Sequence, residues 1–242
     1  MKIVALIPAR YAASRFPGKL LKILGDKPVI VHTYLNTLAT GLFTDVFVVT
    51  DSEEISIAIQ QAGGKAMMSK KEHVSGTDRI AEVAADVEAD VFINVQGDEP
   101  FVYKEALDSL CKLFSDPGTQ VGSLMHRIDK TMAENPNAVK VVTDLSGNAL
   151  YFSRSVIPYL RDLNDVCTYY KHIGVYGYRK ESLLHISKLT PTTLEITEKL
   201  EQLRMLENGI KIKLAEIKEW SVAIDTPEDF EQAQNLWNLK NN

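Results

Sequence analysis

Cysteine is scarce: Cys111 and Cys167 are the only two in a chain of 242 residues, and they stand far apart. No CxxC pair and no Cys/His spacing suited to a metal accompanies them, which argues against structural zinc and a disulfide framework. Long hydrophobic runs are also missing. No apolar stretch nears the ~18–20 residues that a membrane span needs. The opening residues, MKIVALIPAR, are too short an apolar segment for a signal peptide and lack a small-residue cleavage site. Positive charge is in deficit, with 27 Lys+Arg against 32 Asp+Glu and a formal net charge of −5. Such a chain repels the phosphates it would have to neutralise, so neither nucleic acid nor an anionic membrane is expected as a partner. Internal repeats, low-complexity tracts and Gly/Pro/Ser-rich linkers are absent. The expectation is one cytoplasmic domain spanning residues 1–242.

The patterning that remains is regular. Lys2–Ile7 is a short apolar run stopped by Pro8 and reads as a buried strand. Pro28–Thr40 carries apolar residues at helical spacing, with Pro28 at a first-turn position and Gly41 as a stop. Val46–Thr50 reads as a second strand, and Asp51 or Ser52 caps a helix running to Gln61 before Gly63 and Gly64. Lys65–Met68, Asp90–Val95 and Gln120–Met125 are further strands, with helices at Thr77–Val87 and Tyr103–Phe114. Strands alternating with helices in this way predict βαβ units and a parallel, doubly wound sheet. Beyond about residue 138 the rhythm changes. Val139–Thr143 and Ala149–Phe152 flank the turn DLSGN and read as a hairpin. His172–Arg179 and Ile210–Ala215 read as strands, and Thr192–Asn208 and Pro227–Leu239 as helices. A mixed sheet is expected here, with an arm that pairs two subunits.

Ligands of open α/β sheets bind beyond the carboxyl ends of the strands. The segment after the first strand, PARYAASRFPGK, begins a stretch holding Arg10, Arg15, Lys19 and Lys22 with no acid before Asp26. Guanidinium forks, an ammonium and the backbone near Gly18 suit a polyphosphate, although a solvated basic loop has the same composition. The loop matches neither GxxxxGK[ST] nor GxGxxG, which disfavours a P-loop and an NAD-dependent oxidoreductase. After the DVFINV strand comes QGDEP, where Asp98, with Glu99 beside it, is a candidate ligand for a divalent cation. A turn acid capping the next helix is the alternative. Asp225 in AIDTPEDF is the second candidate acid, and DTPED reads equally as a cap, with Asp or Thr before a proline-started helix. In HVSGTDR, Ser75, Gly76 and Thr77 can offer amides and hydroxyls to a base or ribose, or Ser75 or Thr77 can be an N-cap, while Arg79 can reach an anion.

PARYAASRFPGK, SGTDR, NVQGDEP, NPNAVKVV, ALYFSRSVIP, HIGVYGYR, LEITEKLEQLR and DTPEDF follow one another in this order. In them the chain closely resembles the 3-deoxy-manno-octulosonate cytidylyltransferases, the CMP-Kdo synthetases of bacterial lipopolysaccharide assembly, from Ile3 to about Phe230. The N-terminal loop alone is shared more loosely with other sugar nucleotidyltransferases. The resemblance implies an α/β, Rossmann-like nucleotidyltransferase fold: a mixed, mostly parallel sheet with helices on both faces and a small dimerisation arm. It implies a homodimer that condenses CTP with Kdo to CMP-Kdo and pyrophosphate using Mg²⁺, with residues 1–130 mainly binding nucleotide and 131–242 mainly binding sugar and the partner subunit.

Carried over by motif, Arg10, Arg15 and Lys19 face the triphosphate, and Ala9 lies near the cytosine. Gly76, Thr77 and Arg79 contact nucleotide, Gln96 sits between nucleotide and sugar, and Asp98 and Asp225 hold the metal. Arg15, Lys19 and Asp98 are the implied catalytic set. His172, Tyr176, Glu201 and Gln202 form the implied sugar pocket, with Arg154 a candidate for holding the acid sugar. An even spacing puts His172 and Tyr176 on one face of a strand. An interior histidine and a solvated helix face are the plainer readings of this set. RDLNDVCTYYK (residues 161–171) matches no family block firmly, and Ala223 stands where a glycine is frequent. An acylneuraminate or amino-Kdo cytidylyltransferase is the neighbouring alternative, and a nucleotide-binding module without catalysis is the more distant one.

Overall fold

The structure, a computed structural model, describes residues 1–11, 16–71, 73, 75–162, 165–220 and 223–241. By internal contacts the chain falls into two compact units, residues 1–104 with 221–242, and residues 105–220. The closing helix therefore belongs with the N-terminal unit.

The first unit is built on β1 (Ile3–Ala9), whose Val4–Ile7 are fully buried. A 3-10 turn at Lys19–Leu21 leads to the two-residue strands β2 (Ile23–Leu24) and β3 (Lys27–Pro28), which pair with each other. Helix α1 (Val29–Ala39), β4 (Asp45–Thr50), α2 (Glu53–Gln61), β5 (Ala66–Met68), α3 (Gly76–Asp86) and β6 (Val91–Asn94) follow. The sheet order β6-β1-β4-β5 is parallel throughout, as the alternating pattern predicts. Ser52 is the cap of α2, its Oγ accepting from the Ile55 amide at 3.3 Å. Strand β1 runs past the expected stop: Pro8 lies opposite Val49 and Ala9 opposite Thr50. A proline fits there because the β6 ladder ends at Leu6, so no neighbour on that side requires its missing N–H.

The second unit holds α4 (Lys104–Leu113), β7 (Val121–Ile128), α5 (Lys130–Glu134), β8 (Lys140–Thr143) and β9 (Ala149–Ser153). Then come β10 (Tyr169–Arg179), α6 (Lys180–Ile186), α7 (Thr193–Glu198), α8 (Gln202–Glu207) and β11 (Ile212–Ile217). Strand β7 pairs with β11 in parallel and with β10 antiparallel, giving the expected mixed sheet. The β8–β9 hairpin forms as predicted, with Asp144 Oδ1 accepting the amides of Ser146 and Asn148 at 2.8 Å and Gly147 at a φ of 79°. Thr192–Asn208 is not one helix. Lys199 adopts a left-handed φ of 55° and ends α7, and Arg204 ties the two short helices by donating to both Glu195 oxygens at 2.6 and 2.5 Å. The apolar spacing of Leu200, Leu203 and Leu206 masks this corner. Helix α9 (Pro227–Asn241) closes the chain. Among the described residues no helix is long and apolar enough to cross a membrane.

Candidate active site

Three residues far apart in sequence meet in the first unit. The Lys19 ammonium donates to Asp98 Oδ2 at 2.6 Å and to Asp225 Oδ1 at 3.0 Å. Lys19 opens the 3-10 turn behind Gly18, whose φ of 68° is one a glycine adopts without strain. Asp98 follows β6 at Gly97, where an added Cβ would sit 2.9 Å from the Pro8 carbonyl, so only glycine lets this loop approach β1 so closely. The Thr33 hydroxyl donates to the Gly97 carbonyl at 2.9 Å, and the Ile224 amide donates to the Asp98 carbonyl at 2.9 Å. That last bond brings Asp225 alongside Asp98.

The alternative of Asp225 as a cap is settled by the hydrogen bonds. Thr226 is the cap: its hydroxyl accepts from the Asp229 amide at 3.2 Å, and Asp229 Oδ2 accepts from the Thr226 amide at 2.9 Å, a reciprocal pair. Asp229 also accepts from the Asp225 amide at 3.0 Å, so the Asp225 carboxylate can face Lys19. Burial disfavours the Lys19 charge, but the two carboxylates outweigh it and hold its pKa above the ordinary lysine value.

Among the other nucleotide candidates, Ala9 is buried at the end of β1 and Arg10 is exposed just beyond it. Arg15 lies outside the described residues. Ser75, not Thr77, caps α3, accepting from the Asp78 amide at 3.1 Å, while Thr77 is buried and Gly76 half-buried. Gln96 is half-buried after β6. Arg79 donates to the Asp51 carboxylate of the same unit at 2.7 Å. It is 5% exposed, and its Nη1 is buried without a hydrogen-bond partner among the described residues. Asp51, one residue past β4, was legible only as a cap.

The sugar candidates lie in the second unit. The rings of His172 and Tyr176 are 5.4 Å apart, and Phe152 packs edge-on against His172 at 4.9 Å. The expected shared face is real, although β10 is not a regular strand between them: its register on β7 shifts between Ile173 and Tyr176. Burial, with the Lys171 charge adding to it, drives the His172 pKa down to about 3. Burial, followed by Tyr178 and the negative Glu201, pushes the Tyr176 phenol well above 10. The Tyr176 hydroxyl is buried and has no hydrogen-bond partner among the described residues. Gln202 is buried at the start of α8 and Glu201 half-buried before it, so neither lies on a freely solvated helix face.

Arg154 departs from this cluster. It donates to the carbonyls of Glu198 at 2.8 Å, Pro136 at 3.1 Å and Lys199 at 3.4 Å. Its guanidinium holds the corner at Lys199 instead of waiting for an acid ligand. Phe152 and Asp51 carry no sequence signal for these placements, because each acts through a tertiary contact, whereas DTPED already offered Thr226 as a cap.

Among the described residues no cluster of three or more His, Cys, Asp or Glu could hold a metal. Asp98 and Asp225 nonetheless converge on one cationic nitrogen, and Mg²⁺ is commonly held by one or two carboxylates together with substrate phosphate oxygens. The donor set suits an ion that needs the nucleotide to complete its coordination.

A cytidylyltransferase family model matches residues 4–212. The 3-deoxy-manno-octulosonate cytidylyltransferase of Flavobacterium johnsoniae is 51% identical over 240 residues, covering 98% of both chains. That of Christiangramia forsetii is 50% identical, covering 97% of this chain and 96% of its own. Among solved structures, a CMP:2-keto-3-deoxy-manno-octonic acid synthetase complexed with CTP superposes with a TM-score of 0.96 at 41% identity. It covers 99% of this chain and 100% of its own. A fold, a family model and near-complete relatives thus agree, and the chain belongs to the cytidylyltransferase family, among its 3-deoxy-manno-octulosonate members.

Proposed function

We propose that the chain transfers CMP from CTP to the anomeric hydroxyl of Kdo, releasing pyrophosphate and giving CMP-Kdo, the activated sugar of lipopolysaccharide assembly. The observation that carries this reading is the convergence of Asp98 and Asp225 on the Lys19 ammonium, in a chain of this family. The sugar hydroxyl attacks the α-phosphorus while pyrophosphate leaves in line, a reaction that asks the protein mainly for positioning and charge stabilisation. Lys19 supplies a positive point charge to the departing phosphates, and Arg10 and Arg15 add guanidinium donors. Arg79, held by Asp51, and the first turn of α3 orient the nucleotide. Asp98 and Asp225 hold Mg²⁺, which when bound polarises phosphate oxygens and lowers the pKa of a hydroxyl it contacts.

His172, with a pKa of about 3, is too weak a base to take a proton at neutral pH and serves as a neutral hydrogen-bonding group. Tyr176 offers a phenolic proton, Glu201 an acceptor, and Gln202 both. The enzyme works in the cytoplasm as a homodimer. The exposed Leu145 at the tip of the β8–β9 hairpin and Leu150 along it support this arm as the meeting surface. A coupled pyrophosphate assay with CTP, Mg²⁺ and Kdo, an acylneuraminate or an amino-Kdo tests the reading. Turnover is expected to be fastest on Kdo, and no release with Kdo would refute it.

A further inference from the structure

Ser123 is fully buried in β7, and its hydroxyl has three polar neighbours. The carbonyls of Val175 and Ile173 lie at 2.8 and 3.1 Å, and His172 Nε2 lies at 3.1 Å. The carbonyls crowd one hydroxyl because β10 bulges there. Ile173 pairs with Leu124 and Tyr176 with Ser123, so the register on β7 shifts between them, and the carbonyls of Ile173 and Val175 both come to lie against Oγ.

A hydroxyl carries one proton, and a carbonyl can only accept. If His172 Nε2 were unprotonated, three acceptors would surround the serine oxygen with a single proton among them. Two lone pairs would then face that oxygen in a fully buried site, at the cost of unmade hydrogen bonds. With the proton on Nε2, the ring donates to Ser123 Oγ and the serine donates to a carbonyl, so one unmatched acceptor remains instead of two. Burial keeps the ring neutral at working pH, so only one nitrogen bears a proton. The remaining nitrogen, Nδ1, is then an acceptor, and it has no protein partner among the described residues.

We propose that Ser123 is a positioning residue: it locks His172 in the Nε2–H tautomer and thereby presents Nδ1 as an acceptor for a hydroxyl of the sugar substrate. This rests on the assignment of His172 and Tyr176 to the sugar site in the proposed function. A polyol suits the pair, because one hydroxyl can donate to Nδ1 while another accepts from the unpartnered Tyr176 hydroxyl.

The test is two-bond proton–nitrogen NMR of the full-length protein labelled with ¹⁵N-histidine, without substrates at neutral pH, with the His172 signals assigned through His172→Gln. The wild type is expected to show a single Nε2–H tautomer, and Ser123→Ala a mixture of the two. In steady-state assays Ser123→Ala is expected to raise KM for Kdo about tenfold, the loss of one hydrogen bond, while KM for CTP changes less than about twofold. Ser123→Thr, which keeps the hydroxyl, is expected to restore the tautomer and the KM. If Ser123→Ala does not fold, Ser123→Cys, close in volume and a weaker acceptor, carries the same expectations. An Nδ1–H signal in the wild type overturns the proposal, and so does an unchanged KM for Kdo in the folded variant. A wild type that never turns over Kdo sinks the functional reading and the sugar-facing role together, whereas a wrong tautomer sinks the role of Ser123 alone.

Discussion

Replacing Lys19 with methionine keeps most of the buried stem and removes only the charge between Asp98 and Asp225. The ammonium lies 2.6 Å from one carboxylate and 3.0 Å from the other, with side-chain exposures of 11% for Lys19, 21% for Asp98 and 38% for Asp225. At an effective dielectric of about 20, one such pair is worth ~4 kcal/mol before desolvation. The cost of burying the lysine and the solvent screening of Asp225 reduce this, and a net loss of about 2 kcal/mol is expected. For a chain of this length that corresponds to a Tm roughly 4–8 °C lower in buffer containing EDTA.

Mg²⁺ without nucleotide must compete with the ammonium in the wild type but meets two carboxylates relieved of that ammonium in Lys19→Met. The same Mg²⁺ concentration should therefore raise the Tm of the variant more than that of the wild type, by the mass-action stabilisation of the folded state. Thermal unfolding followed by circular dichroism, with NaCl matched for ionic strength, reads both effects. An unchanged Tm in EDTA would show that Lys19 does not neutralise the pair. A Mg²⁺ gain no larger than that of the wild type would show that the two acids do not form a cation site.

Three further outcomes follow from the same geometry. Asp98→Asn should keep the near-ultraviolet spectrum of the wild type and lose roughly a hundredfold or more in kcat, about 3 kcal/mol of transition-state stabilisation; normal kcat at saturating Mg²⁺ would contradict this. His172, held at about 3 against 6.5 unfolded, binds fewer protons folded than unfolded between those values. Its contribution is therefore full above pH 6.5 and is lost as pH falls towards 3, the loss reaching about 2 kcal/mol at pH 5. Urea titrations should show this slope in the wild type and not in His172→Gln, and parallel profiles would refute it. Gly97→Ala places a Cβ 2.9 Å from the Pro8 carbonyl and 3.1 Å from Ile30 Cδ1, and should cost ~1–3 kcal/mol, read as a lower urea midpoint.

The parallel half of the fold was legible because its signal is local. Val4–Ile7, Val46–Val49 and Val91–Ile93 are buried or largely buried apolar runs, and each lies within a strand. The errors occurred where a tertiary contact overrides that signal. Pro8 continues a strand because its neighbour stops two residues earlier. Lys199 breaks an apparently continuous helix, and the Arg154 guanidinium and the Glu195–Arg204 pair hold the break. Helices α5 and α6, at five and seven residues, are too short for periodicity to reveal.

The candidate site divides along the same line. Lys19 and Asp98 could be read from position, since residues just past the carboxyl ends of parallel strands face the ligand side of such a sheet. Asp225 could not, because an acid before Thr-Pro at a helix start serves as a cap or as a ligand with equal ease. The distinction depends on which groups satisfy the free amides of the first turn. Thr226 and Asp229 satisfy them reciprocally, so the helix needs nothing more from the Asp225 side chain. Arg154 is the converse case: a cation that its motif assigned to an acidic ligand is committed to three main-chain carbonyls. In both cases the role follows from which hydrogen bonds the surrounding chain has already made, and that inventory exists only in the folded protein.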